Sequence, residues 1–263
     1  MRFVFKTDYN QDIGLAKHKG HVFWYGLLMV VLVLSPWLLQ EYWLAQLTFV
    51  LIYSIVGLGL MLLAGFTGLF SIGHAAFLGV GAYTQAVCTQ AGMSFVPALV
   101  CATGLSAAVG VVVGLPALRV KGIYLGIATL SFGFIVEEVL ARWESVTGGN
   151  AGIHLKAPDL WGQSVSSAEG FYFLCLCLTV LSTLGVLNLL RSPTGRAFVA
   201  IRDSEISAQS MGIHLAYYKT LSFAISAALA GLGGALYGHK MQFISPDQFS
   251  VLQSIDLLLM IVV

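Results

Sequence analysis

The chain has 263 residues, of which 58% are hydrophobic and only 10% charged, and its mean hydropathy is +0.87. A soluble globule has no way to hide this much apolar surface, so lipid must be its solvent. A formal net charge of +1 leaves no electrostatic footprint for nucleic acid, and the information lies in where the positive charges fall along the chain.

Arg2, Lys6, Lys17 and Lys19 precede an apolar run from Val22 to Leu39. The run is too long for a secretory signal core and no small-residue cleavage site follows it, so it reads as a first span that stays. A hydrocarbon core of ~30 Å takes about 20 helical residues. On that measure spans are expected at about 22–39, 43–64, 73–90, 95–115, 123–141, 171–190 and 220–239. An eighth begins near Ile255, but at ~1.5 Å per residue the stretch to Val263 reaches less than half of the core, so the last span is expected to be truncated. With a cytoplasmic N-terminal segment, 1–21, Arg2, Lys6, Lys17, Lys19, Arg119, Lys121, Arg191, Arg196, Arg202 and Lys219 fall inside, and Arg142, Lys156 and Lys240 fall outside. That distribution obeys the positive-inside rule.

Residues 65–84, GFTGLFSIGHAAFLGVGAYT, interrupt the second and third spans with Gly65, Gly68, Gly73, Gly79 and Gly81. Each lowers helix propensity by ~1 kcal/mol relative to alanine. Broken backbone cannot face lipid, so a broken or re-entrant segment near 65–75 is expected to be buried in protein or to line a water-filled path, as in transporter binding sites. Ser71 is expected to cap a helix starting near Ile72, whose positive end would be open to a polar substrate. His74 is the titratable group of the segment, either a functional group at membrane depth or a structural histidine bonded to a carbonyl.

Small residues at Gly110 and Gly114, at Gly122 and Gly126, and along Ala227, Gly231 and Ala235 with Ala230 and Gly234 are expected to form helix-packing seams. Cys88, Cys101, Cys175 and Cys177 read as small packing or lipid-facing residues, the last two on nearly opposite helix faces. On the fifth span, Thr129 and Ser131 are candidates for a path lining. Glu137 is a further candidate, whereas Glu138 with Arg142 makes a local i,i+4 pair, and Glu144 lies just beyond. The outer loop 142–170 contains Trp143, Trp161, Gly148, Gly149 and Gly152, suited to interface anchoring and a compact lid.

Residues 191–219 form the longest inner connection and show helical punctuation. Ser192 and Pro193 read as N-cap and first helical residue, with a turn or two through Ala197, Phe198 and Ile201. Asp203 and Ser204 offer a second cap with Glu205 in the first turn, and Gly212 supplies a left-handed terminator. Phe198, Ile201, Ile206 and Met211 among Arg196, Arg202, Asp203 and Glu205 suit a polar-rimmed docking surface, or an amphipathic helix resting on headgroups.

The run SIGHAAFLGVGAYT, Ser71 to Thr84, resembles the signature of the permease subunits of branched-chain amino-acid ABC importers, a family that includes permeases for urea and short amides. LRVKGIYLGIATLSFG (118–133) resembles its basic loop and following span, and TGGNAGI (147–153) its outer glycine-rich loop. SPTGRAFVAIRDSEISAQSMGI (192–213), followed by YGHKMQFISPDQF (237–249), is similar to its inner loop and the region after the next span. These ordered matches cover most of the chain from about residue 57 onward.

The resemblance implies an all-α, polytopic helix bundle over 1–263 that acts as half of a translocation pathway and is not an enzyme. A second permease subunit, two cytoplasmic ATPase subunits and an external substrate-binding protein are implied as partners, in a bacterial cytoplasmic membrane. The implied ATPase-coupling residues are Gly195, Arg196, Ile201, Arg202, Glu205, Ala208 and Gly212, and Ser71, Gly73, His74, Thr129 and Glu137 are the candidate pathway residues. The family pattern of Glu-Ala-Ala, three residues, then Gly is only partly met. Ile206, Ser207 and Ala208 stand where the leading residues would be, Gly212 matches, and Glu205 is displaced by one. No G-x-x-x-x-G-K-[ST] loop is present, so ATP must act through a partner, and no cofactor, metal or nucleic acid is expected. A self-contained secondary transporter or channel would share the broken helix, but paired midplane ionisable groups for ion coupling would be expected and His74 stands alone. Neither metal-ligand spacing nor a nucleophile and base pair points to a membrane enzyme.

Overall fold

The computed structural model describes residues 19–116, 120, 122–155, 158–160, 163–164 and 167–262. Arg2, Lys6, Lys17, Arg119, Lys121, Lys156 and Trp161, and most of the N-terminal segment 1–21, lie outside the described residues.

Among the described residues the first helices are α1 (Lys19–Leu38), α2 (Glu41–Leu60), which continues as a π-helical turn over Met61–Phe66, α3 (His74–Gln90), α4 (Phe95–Gly114) and α5 (Ile123–Arg142). The short α6 (Glu144–Thr147) leads to the two-residue strands β1 (Ile153–His154), β2 (Asp159–Leu160) and β3 (Gln163–Ser164). Then follow α7 (Ala168–Arg191), α8 (Pro193–Asp203), α9 (Glu205–Ser210), α10 (Leu215–Met241), β4 (Phe243–Ile244) and α11 (Val251–Val262). β1 pairs antiparallel with β4, Ile153 opposite Ile244, and β2 pairs with β3. The architecture is an all-α, multi-pass membrane bundle in which helices Glu41–Phe66, α4, α5, α7 and α10 are each long and apolar enough to cross a bilayer.

α10 is the central post, packing against α4, α3 and α2. It extends beyond the expected 220–239 because the chain stays helical from Leu215 until Gln242 turns left-handed at φ 59°. The small-residue seams explain its position. A Cβ at Gly110 would press on Ala227 and the Phe223 carbonyl, and Gly81 meets the backbone of Gly231, so these helices approach almost backbone to backbone. The expected Gly122–Gly126 seam is a correction. Gly122 is a left-handed turn residue in open space ahead of α5, whereas Gly126 packs on Phe70 and Ile72 of the segment before α3.

Ile52, Ile55, Val56, Phe77, Leu78, Tyr172 and Phe223 fill the core, while Val112, Phe134, Ile135 and Leu181 remain exposed, as expected of a lipid-facing surface. Tyr172 of α7 donates to the Leu32 carbonyl at 2.9 Å and so fastens α1 to the bundle. Cys175 is buried and Cys177 exposed, in line with their opposite helix faces. The β1–β4 pairing gathers two connections at one end of the bundle. The helical hairpin α8–α9 meets the end of the π-helical turn at the other.

Candidate functional site

The chain between α2 and α3 is broken, and several backbone groups at the break have specific partners. The π-helical turn winds down through Thr67 N–H to the Leu62 carbonyl at 3.2 Å and Leu69 N–H to the Leu63 carbonyl at 3.0 Å. Gly68 then adopts φ +72°, a left-handed conformation that ends helices and suits glycine. Ile72 N–H donates to Thr129 Oγ1 of α5 at 3.0 Å, and the Thr129 hydroxyl donates to the Gly126 carbonyl at 2.9 Å. Ala75 N–H donates to Ser254 Oγ of α11 at 2.9 Å. Gly73 lies so close to α5 that any Cβ would overlap the Thr129 carbonyl. Two neighbouring helices, α5 and α11, thus satisfy backbone that lipid could not.

His74, the first residue of α3, is fully buried. Its Nε2 lies 3.0 Å from Ser226 Oγ of α10, and that hydroxyl donates to the Gly59 carbonyl of α2 at 2.6 Å. With its own proton committed to Gly59, the serine oxygen accepts from Nε2–H, which leaves the Nδ1 lone pair facing inward without a partner among the described residues. The His74 ring also stacks edge-on with Phe77.

Ser71 requires a correction. The helix begins at His74 with Gly73 in the N-cap position, not near Ile72, so the Ser71 hydroxyl is two residues too early to cap it. Ser71 Oγ is fully buried and has no hydrogen-bond partner among the described residues. Ser71, Gly73, His74 and Thr129 are therefore brought together at one packed junction. Glu137 is not part of it. It lies farther along α5 and lines a cavity of about 650 Å³ with Glu144, Asn150 and Asp247. Glu138 is taken by Arg142, as the i,i+4 spacing implies. Ser131 is exposed and bonds back to the Ile127 carbonyl. Ser226 and Ser254, which hold the break from α10 and α11, were missed by reading the sequence. A hydroxyl within an apolar span was the available signal, but it does not reveal which distant backbone it meets.

The helical hairpin divides its side chains between two faces. Pro193 opens α8 as expected, but the Ser192 hydroxyl donates back to the Leu189 carbonyl rather than capping. Ser204 caps α9 by accepting from Ser207 N–H at 3.3 Å, and Gly212 ends it at φ +83°. Phe198 and Ile201 point inward and are not part of a docking surface. Phe198 is fully buried against Leu62 and Val186, and Gly195 and Ala208 are buried as well. Ile206 and Met211 are 81% and 85% exposed and remain available to a partner. Arg196 donates to the Arg191 carbonyl at 3.3 Å. Glu205 meets Lys219 at 2.7 Å, with the lysine side chain only 2% exposed. Between α9 and the start of α10 lies a cavity of about 450 Å³ bordered by Gln209, Ile213 and Lys219. Arg202 splits its guanidinium between the Asp203 carboxylate and the Gly65 carbonyl, the latter at 3.0 Å.

Among the described residues no group of three His, Cys, Asp or Glu side chains is placed to hold a metal ion. The arrangement is one of buried polar contacts around the break and an exposed two-helix platform. A family model described as a branched-chain amino acid transport system permease component matches residues 42–263. The chain belongs to this permease family. Over 260 aligned residues it is 36% identical to the high-affinity branched-chain amino acid transport system permease protein LivM of Salmonella typhimurium, a match covering 89% of this chain and 61% of that protein. The Escherichia coli protein of the same name is 35% identical with the same coverage. A probable branched-chain amino acid transport permease protein LivM of Methanocaldococcus jannaschii is 28% identical over 142 residues, covering 53% of this chain and 41% of its own. The permease chain thus spans about three-fifths of the length of the first two relatives. No solved structure is a significant match.

Proposed function

We propose that this chain is the membrane-spanning permease subunit of an ATP-binding-cassette importer for branched-chain amino acids, forming half of the translocation pathway. The observation that carries the reading is the α8–α9 platform. In a chain of this permease family, it is anchored by buried Phe198 and Ile201 while presenting Ile206 and Met211 outward. An exposed apolar pair on a polar-rimmed surface suits docking of a soluble protein. Its partners are a related second permease, two ATPase subunits that dock on the platform, and an external binding protein that delivers cargo at the β1–β4 end. Arg191, Arg196, Arg202 and Lys219 cluster toward the platform, whereas Arg142 and Lys240 lie toward the other end. That asymmetry supports a cytoplasmic platform in a bacterial inner membrane, with the N-terminus on the same side. Ser71, Gly73, His74 and Thr129 mark the gate of the pathway, and Glu137 the acidic vestibule beyond it.

The test is uptake of radiolabelled leucine by cells lacking the gene and by the same cells with it restored, with unlabelled urea and short amides as competitors. Restored uptake that urea leaves unchanged supports the proposal. Restored urea or amide uptake without leucine moves the cargo within the family, and no restoration of any of them favours a self-contained transporter.

A further inference from the structure

We propose that Arg202 is the positioning residue through which the helical hairpin moves the broken segment between α2 and α3, a role that rests on the importer reading above. Among the residues assigned to ATPase docking from sequence, Arg202 points the other way. Its Nη1 donates to the Gly65 carbonyl at 3.0 Å, while Nε and Nη2 hold Asp203 at 3.2 Å. Gly65 lies in the final turn of the π-helical continuation of α2. Carbonyls at a helix C-terminus lack intrahelical donors, and a guanidinium is well suited to capping them. Here the cap comes from a residue 137 positions away in the chain.

A second contact fixes the same junction independently of the guanidinium. Gly68, at φ +72°, lies against the Cα, Cβ and Cγ of Arg202 so closely that a Cβ there would come within 3.0 Å of Cγ. The hairpin backbone therefore rests directly on the turn where the break begins. From Gly68 the chain runs three residues to Ser71 and six to His74, whose Oγ and Nδ1 are both buried and without partners among the described residues. Such groups favour any rearrangement that gives them partners. α8 is itself locked to the bundle by Phe198 and Ile201, so a displacement of the platform is transmitted as a rigid push at Gly65–Gly68. The guanidinium fork holds both ends of this link, and a neutral side chain too short to reach the Gly65 carbonyl would release the break while leaving the platform in place.

The experiment uses the full-length permease purified with its ATPase subunits and reconstituted in lipid, comparing wild type, Arg202→Gln and Arg202→Lys. Backbone hydrogen exchange of residues 66–72 is followed with and without ATP, and leucine moved per ATP hydrolysed is measured on the same preparations. In the wild type, ATP changes exchange across 66–72 at least tenfold. In Arg202→Gln that response is lost and transport per ATP falls at least tenfold, and Arg202→Lys, which keeps a donor for Gly65, restores most of both. An ATP response in Arg202→Gln equal to that of the wild type overturns the proposal, as does Arg202→Lys behaving like Arg202→Gln in both readouts. If wild type moves no leucine, the importer reading for that cargo fails by itself. The ATP-dependent exchange of 66–72, present in wild type and absent in Arg202→Gln, then still decides the role of Arg202.

Discussion

Removing Glu205 should be far more damaging than removing the lysine it meets. Lys219 is 2% exposed on the side chain and Glu205 23%, at 2.7 Å. Glu205→Ala leaves an ammonium buried at the base of α10, whereas Lys219→Met replaces it with an apolar side chain of similar length and leaves a carboxylate that solvent can reach. Breaking a buried pair from one side costs ~3–5 kcal/mol. The partial exposure of Glu205 and the adjoining cavity of about 450 Å³ place Glu205→Ala near the lower end, about 3 kcal/mol, a factor of about 150 in the local opening equilibrium. Hydrogen exchange across residues 205–213 reads that opening directly. The expected result is a roughly hundredfold acceleration in Glu205→Ala, a much smaller one in Lys219→Met, and recovery toward wild type in the double variant. Exchange in Glu205→Ala within threefold of wild type, or a double variant no better than Glu205→Ala, would refute the reasoning.

Three further outcomes are expected. Ser226→Ala removes the partner of both His74 Nε2 and the Gly59 carbonyl and should lower stability by ~1–3 kcal/mol, seen as a lower thermal midpoint of the purified protein. Gly73→Ala drives a methyl group into the Thr129 carbonyl and should cost at least ~1–3 kcal/mol. Gly104→Ala, which meets open space inside α4, should be neutral or stabilising by up to ~1 kcal/mol; equal midpoints for these two variants would count against the close approach. Gly212→Pro forces a φ of about −65° on a residue held at +83° and removes the N–H bonded to the Gln209 carbonyl. It should insert normally, yet its proposed ATPase partners should hydrolyse ATP without cargo being moved, and coupled transport in that variant would contradict the platform assignment.

Much of the bundle was legible because lipid imposes a simple rule. A run of about 20 apolar residues has few alternatives to a spanning helix, and glycine at Gly110, Gly114 and Gly231 announces a close neighbour without saying which one. The hairpin was legible from Pro193, Ser204 and Gly212, whose backbone preferences are local. What one-dimensional reading could not reach were the partnerships across the fold. Phe198 and Ile201 looked like docking residues because an apolar side chain on a polar loop has the same signature whether it faces a partner or its own bundle. Ser71 looked like a cap because its hydroxyl lies near a helix start, and a shift of the start to His74 cancels that role. The supports that Ser226, Ser254 and Arg202 give to the break depend on separations of 137 to 179 residues, and no local pattern encodes them.

The most direct measurement is reconstitution of the purified permease with its copurifying subunits into proteoliposomes supplied with ATP and a leucine-loaded binding protein. The account predicts leucine accumulation that requires ATP hydrolysis and is abolished when an acidic residue replaces the exposed pair Ile206 and Met211 on the platform. Accumulation that proceeds without ATP, or that is indifferent to charge at Ile206 and Met211, would contradict it.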